Sequence, residues 1–340
     1  MPVRVGFLGA GLVARIHAHG LAAVAEEVEW AAVYDIDTGR AAAFSTDTGA
    51  TLCGSVDEVL ERAEAVYVCT WTSEHPGLVA EAAGRQLAVY CEKPLAVSLS
   101  LATAMTEHVV DAGVVNQTGL VLRHSPAFGA LRRLLDDPRS GRLMALSFRD
   151  DQYLPVGRYY GSTWRADVSR AGAGVLLEHS IHDIDILELL AGPIRQLSCQ
   201  TASFHGLPGI EDVATVRITF DSGVPGTLTT VWHDIGERGN ERRVEAFCEN
   251  LWCVLDGNHH WGPVTWQRAG EPVQSAYGEE LLGLLAPVGV EHHNPDAAFV
   301  ASVRDGRPAA PDFRIALRAH ELVDAAYRSA AADGAVVDLG

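Results

Sequence analysis

Strand-like and helix-like runs alternate through the first 120 residues, and this order constrains the fold more than any other feature of the chain. The strand-like runs are short and apolar, and they lie at residues 3–9, 28–34, 65–69, 88–91 and 114–118. Helical patterns between them cover residues 12–24, 74–83 and 98–111. Such alternation is typical of a parallel sheet with helices on both faces. It predicts a doubly wound α/β domain of the Rossmann class over residues 1–122.

The pattern changes near residue 123 to strands with short connections. Strand-like runs lie at residues 194–204, 212–220, 226–232, 242–248 and 251–255. Helical patterns lie at residues 126–135, 175–190, 295–304 and 313–331. Because consecutive strands with short connections favour antiparallel pairing, we predict a C-terminal α+β domain over residues 123–340. Its sheet is expected to be open and mainly antiparallel.

A glycine-rich loop follows the first apolar run. The segment from Gly9 to Ala14 reads GAGLVA and fits the pattern G-x-G-x-x-A between a strand and a helix. Gly9 permits a tight turn, Gly11 lets the backbone approach a pyrophosphate, and Ala14 lets the helix pack closely on the sheet. The amides of Gly11, Leu12 and Val13 would face phosphate oxygens. The loop predicts a bound dinucleotide.

An acidic residue in the expected place supports that interpretation. Asp35 ends the second strand, 21 residues after Ala14. A carboxylate there accepts both ribose hydroxyls and repels a 2′-phosphate, which predicts NAD. Arg40 lies close enough to leave NADP open. The alternative is a turn-forming aspartate beside Asp37 and Gly39.

Charge and cysteine usage limit the partners and the compartment. The chain has 26 basic and 44 acidic residues, a net charge of -18, so we expect neither nucleic acid nor an anionic membrane as a partner. The sequence contains no apolar run of ~18 residues, so we expect no transmembrane helix. The six cysteines form no CxxC pair and the N-terminus shows no leader pattern, so we expect a cytoplasmic protein.

Only one of the 26 basic residues is a lysine, Lys93. Arginine replaces lysine at most surface positions, but it does not release its proton readily and therefore does not replace lysine in proton transfer. Lys93 is therefore a candidate proton carrier. The alternative is a chance survivor in an arginine-rich chain.

The residues around Lys93 resemble a known family. Glu92-Lys93-Pro94 follows a buried strand and resembles the EKP motif of the Gfo/Idh/MocA oxidoreductases, the family of glucose–fructose oxidoreductase and inositol dehydrogenase. The segment TWTSEH, which ends at His75, resembles the family's TPNxxH. Residues 172–185 resemble its GGGxxxDxGxHxxD helix, and the loop from Gly9 resembles its nucleotide loop. The resemblance spans most of the chain.

The resemblance implies a fold, a cofactor and a chemistry. It implies a Rossmann domain followed by an open-faced α/β domain, with NAD(P) and an alcohol or ketone substrate such as a sugar, cyclitol or related polyol. Lys93 and His182 match the catalytic lysine and histidine, and Glu178 stands where most members have aspartate. Positions implied near the cofactor are Thr70, Trp71, His75, Glu92, Lys93, Trp164 and Arg165. Trp71 and Thr72 depart from the Pro-Asn of the family motif.

The predicted helix at 175–190 presents three polar residues together. At ~100° per residue, Glu178, His182 and Asp185 fall on one stripe at i, i+4 and i+7. An unperturbed histidine pKa of ~6.5 suits proton exchange near neutral pH. We therefore expect His182 to exchange a proton, Asp185 to orient its ring, and Glu178 to hold a substrate hydroxyl. The alternative is a solvated helix face with an ordinary i, i+4 hydrogen bond.

Two further enzyme and binding functions stay open, and no metal is expected. The chain lacks HExxH and any Cys/His cluster with ligand spacing. A reductase of a nonsugar ketone or imine would use the same cofactor. A nucleotide-binding regulator of the same fold would not need the pair of Lys93 and His182.

The second sheet also predicts self-association. In the strand at 212–220, Ala214, Val216, Ile218 and Phe220 form an apolar side, whereas Val213, Thr215, Arg217 and Thr219 form a mixed side. We expect the mixed side to face a second copy, as a homodimer or homotetramer through the C-terminal sheet. Pro94 restricts the backbone of Lys93 and is a candidate for a cis peptide bond.

Overall fold

The computed structural model describes residues 1–157, 160–257, 260–285 and 293–340 of the 340-residue chain. The chain divides into two compact units. The first unit comprises Met1–Leu120, Ser169–Gly172 and Asn294–His320. The second unit comprises Val121–Val168, Ala173–His293 and Glu321–Gly340.

The strands and helices are numbered in chain order. The strands are β1 Val3–Leu8, β2 Val28–Tyr34, β3 Thr51–Leu52, β4 Ala65–Val68, β5 Ala88–Cys91, β6 Asn116–Thr118, β7 Leu143–Tyr153, β8 Ile194–Ala202, β9 Val213–Phe220, β10 Pro225–His233, β11 Glu241–Cys248, β12 Leu251–Asp256, β13 Val264–Arg268, β14 Gln274–Ala276 and β15 Val337–Asp338. The helices are α1 Leu12–Ala22, α2 Thr38–Thr48, α3 Val56–Arg62, α4 His75–Gly84, α5 Leu99–Ala112, α6 Pro126–Leu135, α7 Val168–Ala171, α8 Val175–Glu178, α9 Ile181–Ala191, α10 Glu280–Leu285, α11 Pro295–Asp305 and α12 Phe313–Ala331. In the described part of the chain, no helix has the length and apolar character needed to cross a bilayer.

The first unit contains a parallel sheet in the order β3-β2-β1-β4-β5-β6. The order reverses between β1 and β4, as in doubly wound dinucleotide-binding folds. Phe7, Tyr67 and Tyr90 are in register on adjacent strands, and their rings stack 4.8 and 4.9 Å apart. The predicted Rossmann domain is confirmed.

Helix α11 belongs to this first unit, which corrects the single boundary predicted at residues 122 and 123. Phe299 and Val300 of α11 share a buried core with Val5 and Phe7 of β1. The Phe299 ring meets Tyr67 and Tyr90 edge-on at 5.6 and 5.5 Å. The chain therefore returns to the first domain because α11 needs an apolar partner that the sheet supplies.

The second unit contains a nine-stranded sheet in the order β14-β13-β12-β11-β7-β10-β9-β8-β15. Strands β7 and β10 pair in parallel, and the other neighbours pair antiparallel. The mainly antiparallel sheet is therefore confirmed. Strand β7 was not predicted. It contains the charged run Arg149, Asp150 and Asp151, and both aspartates are buried, so the sequence does not show the apolar–polar alternation of a strand.

The helix predicted at residues 175–190 is interrupted. Helix α8 ends at Glu178 and α9 begins at Ile181. His179 and Ser180 form the break, where the Ser180 N–H donates to the carbonyl of Val175 and the Ser180 hydroxyl donates to Thr230 Oγ1 at 2.6 Å. The prediction of one continuous stripe is therefore wrong, because Glu178 and His182 lie on different helices.

Candidate active site

The predicted cofactor residues of the first unit follow the carboxyl ends of its strands. Gly9 follows β1, Asp35 follows β2, Thr70 follows β4, and Lys93 follows β5. Because these strands are parallel, their carboxyl ends share one edge of the sheet, where open α/β sheets bind ligands.

The turn between β1 and α1 has the shape that a dinucleotide phosphate requires. Gly9 has a φ of +93°, and a Cβ there would lie 2.5 Å from the carbonyl oxygen of Cys69. A Cβ on Gly11 would meet no atom within 4 Å, so the space beside this backbone is open. Gly11 precedes the first turn of α1, whose free N–H groups favour an anion. Ala14 is fully buried beneath the turn.

Asp35 is attached to the same turn. Its Oδ2 accepts a hydrogen bond from the Ala10 N–H at 2.7 Å, and its Oδ1 accepts one from the Asp37 N–H at 2.8 Å. A carboxylate offers about four acceptor positions, so acceptor capacity remains for ribose hydroxyls. Arg40 is exposed and lies 3.4 Å from Asp37.

The segment that departs from the TPNxxH motif is held by hydrogen bonds of His75 and by a cation–π contact of Trp71. The His75 ring is buried, with Nδ1 2.9 Å from the carbonyl oxygen of Pro94 and Nε2 3.3 Å from that of Thr70. Burial lowers the pKa of His75, which favours the neutral ring. The Trp71 ring lies under the guanidinium of Arg170, 3.8 Å from the ring centre.

The backbone around Lys93 is held on both sides. The Lys93–Pro94 peptide is cis. The Lys93 N–H donates to Glu92 Oε2 at 3.3 Å, and the Leu95 N–H donates to Nε2 of the buried His320 at 3.0 Å. Burial and the nearby His75 lower the pKa of His320 to about 4, so its ring is a neutral acceptor. We did not predict His320, because only its contact with a residue 225 positions away reveals it.

The Glu92 carboxylate also contacts a histidine that we did not predict. Its Oε1 lies 3.0 Å from Nε2 of His17 on α1. Nδ1 of the same ring lies 2.7 Å from Oδ1 of Asp296 on α11. All three side chains are buried.

In the second unit, Glu178 is an ion-pair partner of Arg165. Nε of Arg165 lies 2.5 Å from Oε1 of Glu178, which is 3% exposed. The same guanidinium packs 4.4 Å from the Trp164 ring centre and 5.5 Å from that of Tyr160. Trp164 and Arg165 therefore support Glu178, and their predicted contact with the cofactor stays a prediction.

His182 is buried on α9, and the partner of the neighbouring Asp185 differs from the one we predicted. Asp185 accepts two hydrogen bonds from Arg123, each at 2.7 Å. Burial raises the pKa of Asp185, and the Arg123 guanidinium offsets part of that rise. The His182 ring meets the His179 ring edge-on, with 6.3 Å between the centres.

A buried charge cluster underlies His179. The side chains of Asp150, His179 and Asp183 offer ligand atoms that lie within 4.8 Å of one another. Among the described residues, this is the one group whose spacing could hold a metal ion. Arg242 contacts all three, with nitrogens 2.7 Å from Asp150, 2.8 Å from His179 and 3.5 Å from Asp183. Burial and the charge of Asp150 raise the pKa of Asp183 well above its usual range. A guanidinium thus already supplies positive charge to the cluster.

The start of α8 is fixed by a glutamate that we did not predict. Glu211 accepts hydrogen bonds from the N–H groups of Gly174 and Leu176 at 2.8 and 2.9 Å, and from the Tyr327 hydroxyl at 2.8 Å. A Cβ on Gly174 would lie 1.9 Å from the backbone oxygen of Glu211. Close approach of two backbones therefore explains the glycine of the helix motif.

Comparison with known proteins identifies the family. The sequence model of the Gfo/Idh/MocA oxidoreductase family with an NAD-binding Rossmann fold matches residues 3–120. The model of the Gfo/Idh/MocA C-terminal domain matches residues 128–253. The chain belongs to the Gfo/Idh/MocA oxidoreductase family. The resemblance found in the sequence is confirmed, and NAD is the cofactor of this dehydrogenase.

Two curated relatives in the Gfo/Idh/MocA family illustrate its range. The 1,5-anhydro-D-fructose reductase of Ensifer adhaerens is 33% identical over 228 residues, which cover 65% of this chain and 67% of the relative. The inositol 2-dehydrogenase of Rhizobium meliloti is 26% identical over 342 residues, which cover 97% of this chain and 98% of the relative.

Solved structures show the same fold. Levoglucosan dehydrogenase in complex with NADH matches with a TM-score of 0.89 and 20% identity, over 100% of both chains. The WlbA dehydrogenase of Bordetella pertussis in complex with NADH and UDP-GlcNAcA matches with a TM-score of 0.86 and 21% identity, over 100% of this chain and 98% of that one.

Proposed function

We propose that the protein interconverts a secondary alcohol and a ketone on a sugar, cyclitol or related polyol. NAD supplies the hydride chemistry when it is bound. The observation that carries the proposal is the position of the only lysine, in a backbone turn after β5 that Glu92, His75 and His320 hold in place. A proton carrier must be placed within hydrogen-bond reach of its substrate, and a fixed turn provides such placement.

The groups that bind the pyrophosphate and the adenosine ribose are assigned to the first unit. Gly9 and Gly11 give the pyrophosphate access to the backbone, and Asp35 binds the adenosine ribose. The other residues assigned to the cofactor site are Leu12, Val13, Ala14, Thr70, Trp71, His75, Glu92, Lys93, Trp164 and Arg165. The open space beside Gly11 and the remaining acceptor capacity of Asp35 support this assignment.

Two residues are assigned to the substrate's hydroxyl proton, Lys93 in the first unit and His182 in the second. Each belongs to a residue type that exchanges protons, and each matches a catalytic position implied by the family resemblance. Glu178 is assigned to a substrate hydroxyl. The buried Glu178 carboxylate is ion-paired with Arg165, and a carboxylate oxygen is an acceptor for a substrate hydroxyl.

Self-association through the second sheet is part of the proposal. On β9, Ala214, Val216 and Ile218 are buried, whereas Thr215 and Arg217 are exposed. Phe247 on β11 is exposed and pairs with Ala145 of β7, which places it on the same face as Thr215 and Arg217. A homodimer or homotetramer would cover this face. A cytoplasmic location also stays a prediction. The six cysteines are buried free thiols, which is compatible with a reducing compartment.

A substrate panel with both nucleotides tests the function. Purified protein is titrated with NADH by fluorescence and then assayed at 340 nm with inositols, levoglucosan, 1,5-anhydro-D-fructose and other sugars, with NAD and NADP in both directions. We expect NADH binding and turnover of at least one polyol or keto sugar. NADH binding without turnover of any of them would contradict the proposal and favour a regulator or a nonsugar reductase. Light scattering that shows only monomer at micromolar concentration would contradict self-association.

A further inference from the structure

We propose that His17 is a positioning residue: as a cation held between Glu92 and Asp296, it fixes the Glu92 carboxylate and, through it, the placement of Lys93. The inference rests on the proposed function, because it assigns His17 a part in the work of Lys93. His17 lies in α1, outside the glycine loop and the EKP motif, and its ring is hydrogen-bonded to Glu92 of that motif and to Asp296 of α11.

The geometry is that of a closed three-residue bridge. Nδ1 of His17 lies 2.7 Å from Oδ1 of Asp296, and Nε2 lies 3.0 Å from Oε1 of Glu92. The His17 ring is 2% exposed. When both carboxyl groups are ionised, the His17 ring donates to both of them only if both of its nitrogens carry protons, so two ionised neighbours favour the imidazolium form.

The surroundings favour the same charge. Burial alone would lower the pKa of His17, but the carboxylates of Asp296 and Glu92 raise it to about 10. The rings of Tyr67 and Tyr90 pack against His17 at 5.3 and 4.7 Å. Burial raises the pKa of both tyrosines well above the usual range, so these neighbours stay neutral. The cation therefore persists across the pH range in which a dehydrogenase works.

Two glycines make room for the bridge. A Cβ on Gly20 would lie 2.1 Å from Oδ2 of Asp296, and a Cβ on Gly119 would lie 2.2 Å from Oε1 of Glu92. Each carboxylate therefore occupies space that any other residue at that glycine would fill. Both carboxylates therefore pack directly against a glycine backbone.

The bridge reaches the proposed proton carrier through Glu92. While Oε1 of Glu92 binds His17, Oε2 accepts the backbone N–H of Lys93 at 3.3 Å. Without the cation, Glu92 is a buried carboxylate that has lost its charge partner, and we expect it to turn toward the amine of the adjacent Lys93. A carboxylate beside the amine favours the ammonium form, which neither accepts a proton nor reacts with an acylating reagent.

The experiment compares His17→Gln, His17→Gln/Asp296→Asn and, as a matched control, His19→Gln, an exposed histidine on the same helix. Five quantities are measured: Tm, the Kd of NADH, kcat and KM with the best panel substrate, and the rate at which acetic anhydride labels Lys93 in the cofactor-free protein. Because Lys93 is the only lysine, peptide mass spectrometry separates its label from that of the N-terminus.

For His17→Gln we expect a lower Tm, Lys93 labelling slowed several-fold, and kcat reduced by about 10–100-fold, with KM and the Kd of NADH changed by less than about threefold. The double variant leaves one fewer uncompensated carboxylate, so Tm should recover in part while labelling and kcat stay low. His19→Gln should match wild type in all five quantities.

Two results would overturn the inference. One is Lys93 labelling at the wild-type rate in His17→Gln. The other is recovery of labelling and kcat together with Tm in the double variant, which would make the bridge a purely structural one. Absence of turnover in the wild type would count against the proposed function instead, and the labelling rates would still decide the role of His17.

Discussion

Oδ2 of Asp35 accepts a hydrogen bond from the backbone N–H of Ala10 at 2.7 Å, which joins the end of β2 to the glycine turn after β1. The acid that we assign to the ribose and the turn that we assign to the pyrophosphate therefore hold each other in place. A change at Asp35 is expected to alter both the choice of nucleotide and the order of the turn.

The first prediction concerns nucleotide choice. Wild type should bind NADH more tightly than NADPH, because the Asp35 carboxylate accepts ribose hydroxyls and repels a 2′-phosphate. Asp35→Ser should weaken NADH binding by about tenfold, because one to two hydrogen bonds to the ribose are lost. It should also reduce the preference for NADH over NADPH. Fluorescence titration with both nucleotides measures this, with the exposed Glu61→Gln as control. Tighter NADPH binding by wild type would remove the role of Asp35 and favour Arg40.

The second prediction concerns the longer acid at position 178. Glu178→Gln should lower kcat/KM by about 10–100-fold, because a charged acceptor for the substrate is lost. It should also lower Tm, because the partly buried Arg165 loses its partner. Arg165→Gln/Glu178→Gln removes both charges, so Tm should recover while kcat/KM stays low. Recovery of kcat/KM in the double variant would mean that Glu178 serves only Arg165.

The third prediction concerns acid stability. The pKa of His320 is about 4 in the folded protein and ~6.5 in an unfolded chain. Between these values the unfolded state binds a proton that the folded state does not, so the free energy of unfolding falls as the pH falls from ~6.5 to ~4, by up to about 1.4 kcal/mol per pH unit. Urea unfolding of His320→Gln should show a shallower decline over this window. Parallel curves for the two proteins would refute the neutral, buried state of His320.

The fourth prediction concerns the glycine at the start of α8. Gly174→Ala places a Cβ 1.9 Å from the Glu211 carbonyl oxygen, so two backbones must separate. We expect a loss of about 3 kcal/mol in the free energy of unfolding. Gly84→Ala is the control: it is exposed in α4 with no atom near its Cβ, and it should gain about 0.5–1 kcal/mol. Equal effects of the two changes would show that the contact with Glu211 is unimportant.

The sequence predicted the parts of the molecule that depend on local pattern. The strands of the first sheet follow from short apolar runs between helical stretches. Gly9, Asp35 and Lys93 were found because each follows such a strand, where a parallel sheet presents its ligand-binding edge. Helices α6 and α12 have the predicted bounds, since their patterns are uninterrupted.

What the sequence did not predict depends on partners far along the chain. Asp296 and His17 are 279 positions apart, and no local pattern links them. The break at His179 and Ser180 is hydrogen-bonded to the Thr230 hydroxyl of β10. The buried Asp150 of β7 is balanced by Arg242 of β11 and by His179. Hydrophobic periodicity gives wrong predictions at buried polar residues, because their charges are balanced by residues of another element.

Lys93→Arg tests the central claim that Lys93 is a proton carrier. Arginine keeps the positive charge but does not release its proton near neutral pH. The account predicts unchanged Tm and an unchanged Kd of NADH.

The deciding measurement is kcat of Lys93→Arg against wild type with the best substrate of the panel. A positioned acid–base group contributes ~10²–10⁴-fold, so we predict a loss of kcat of that order. Turnover within a few-fold of wild type would show that the lysine acts only as a charge, and it would contradict the mechanism.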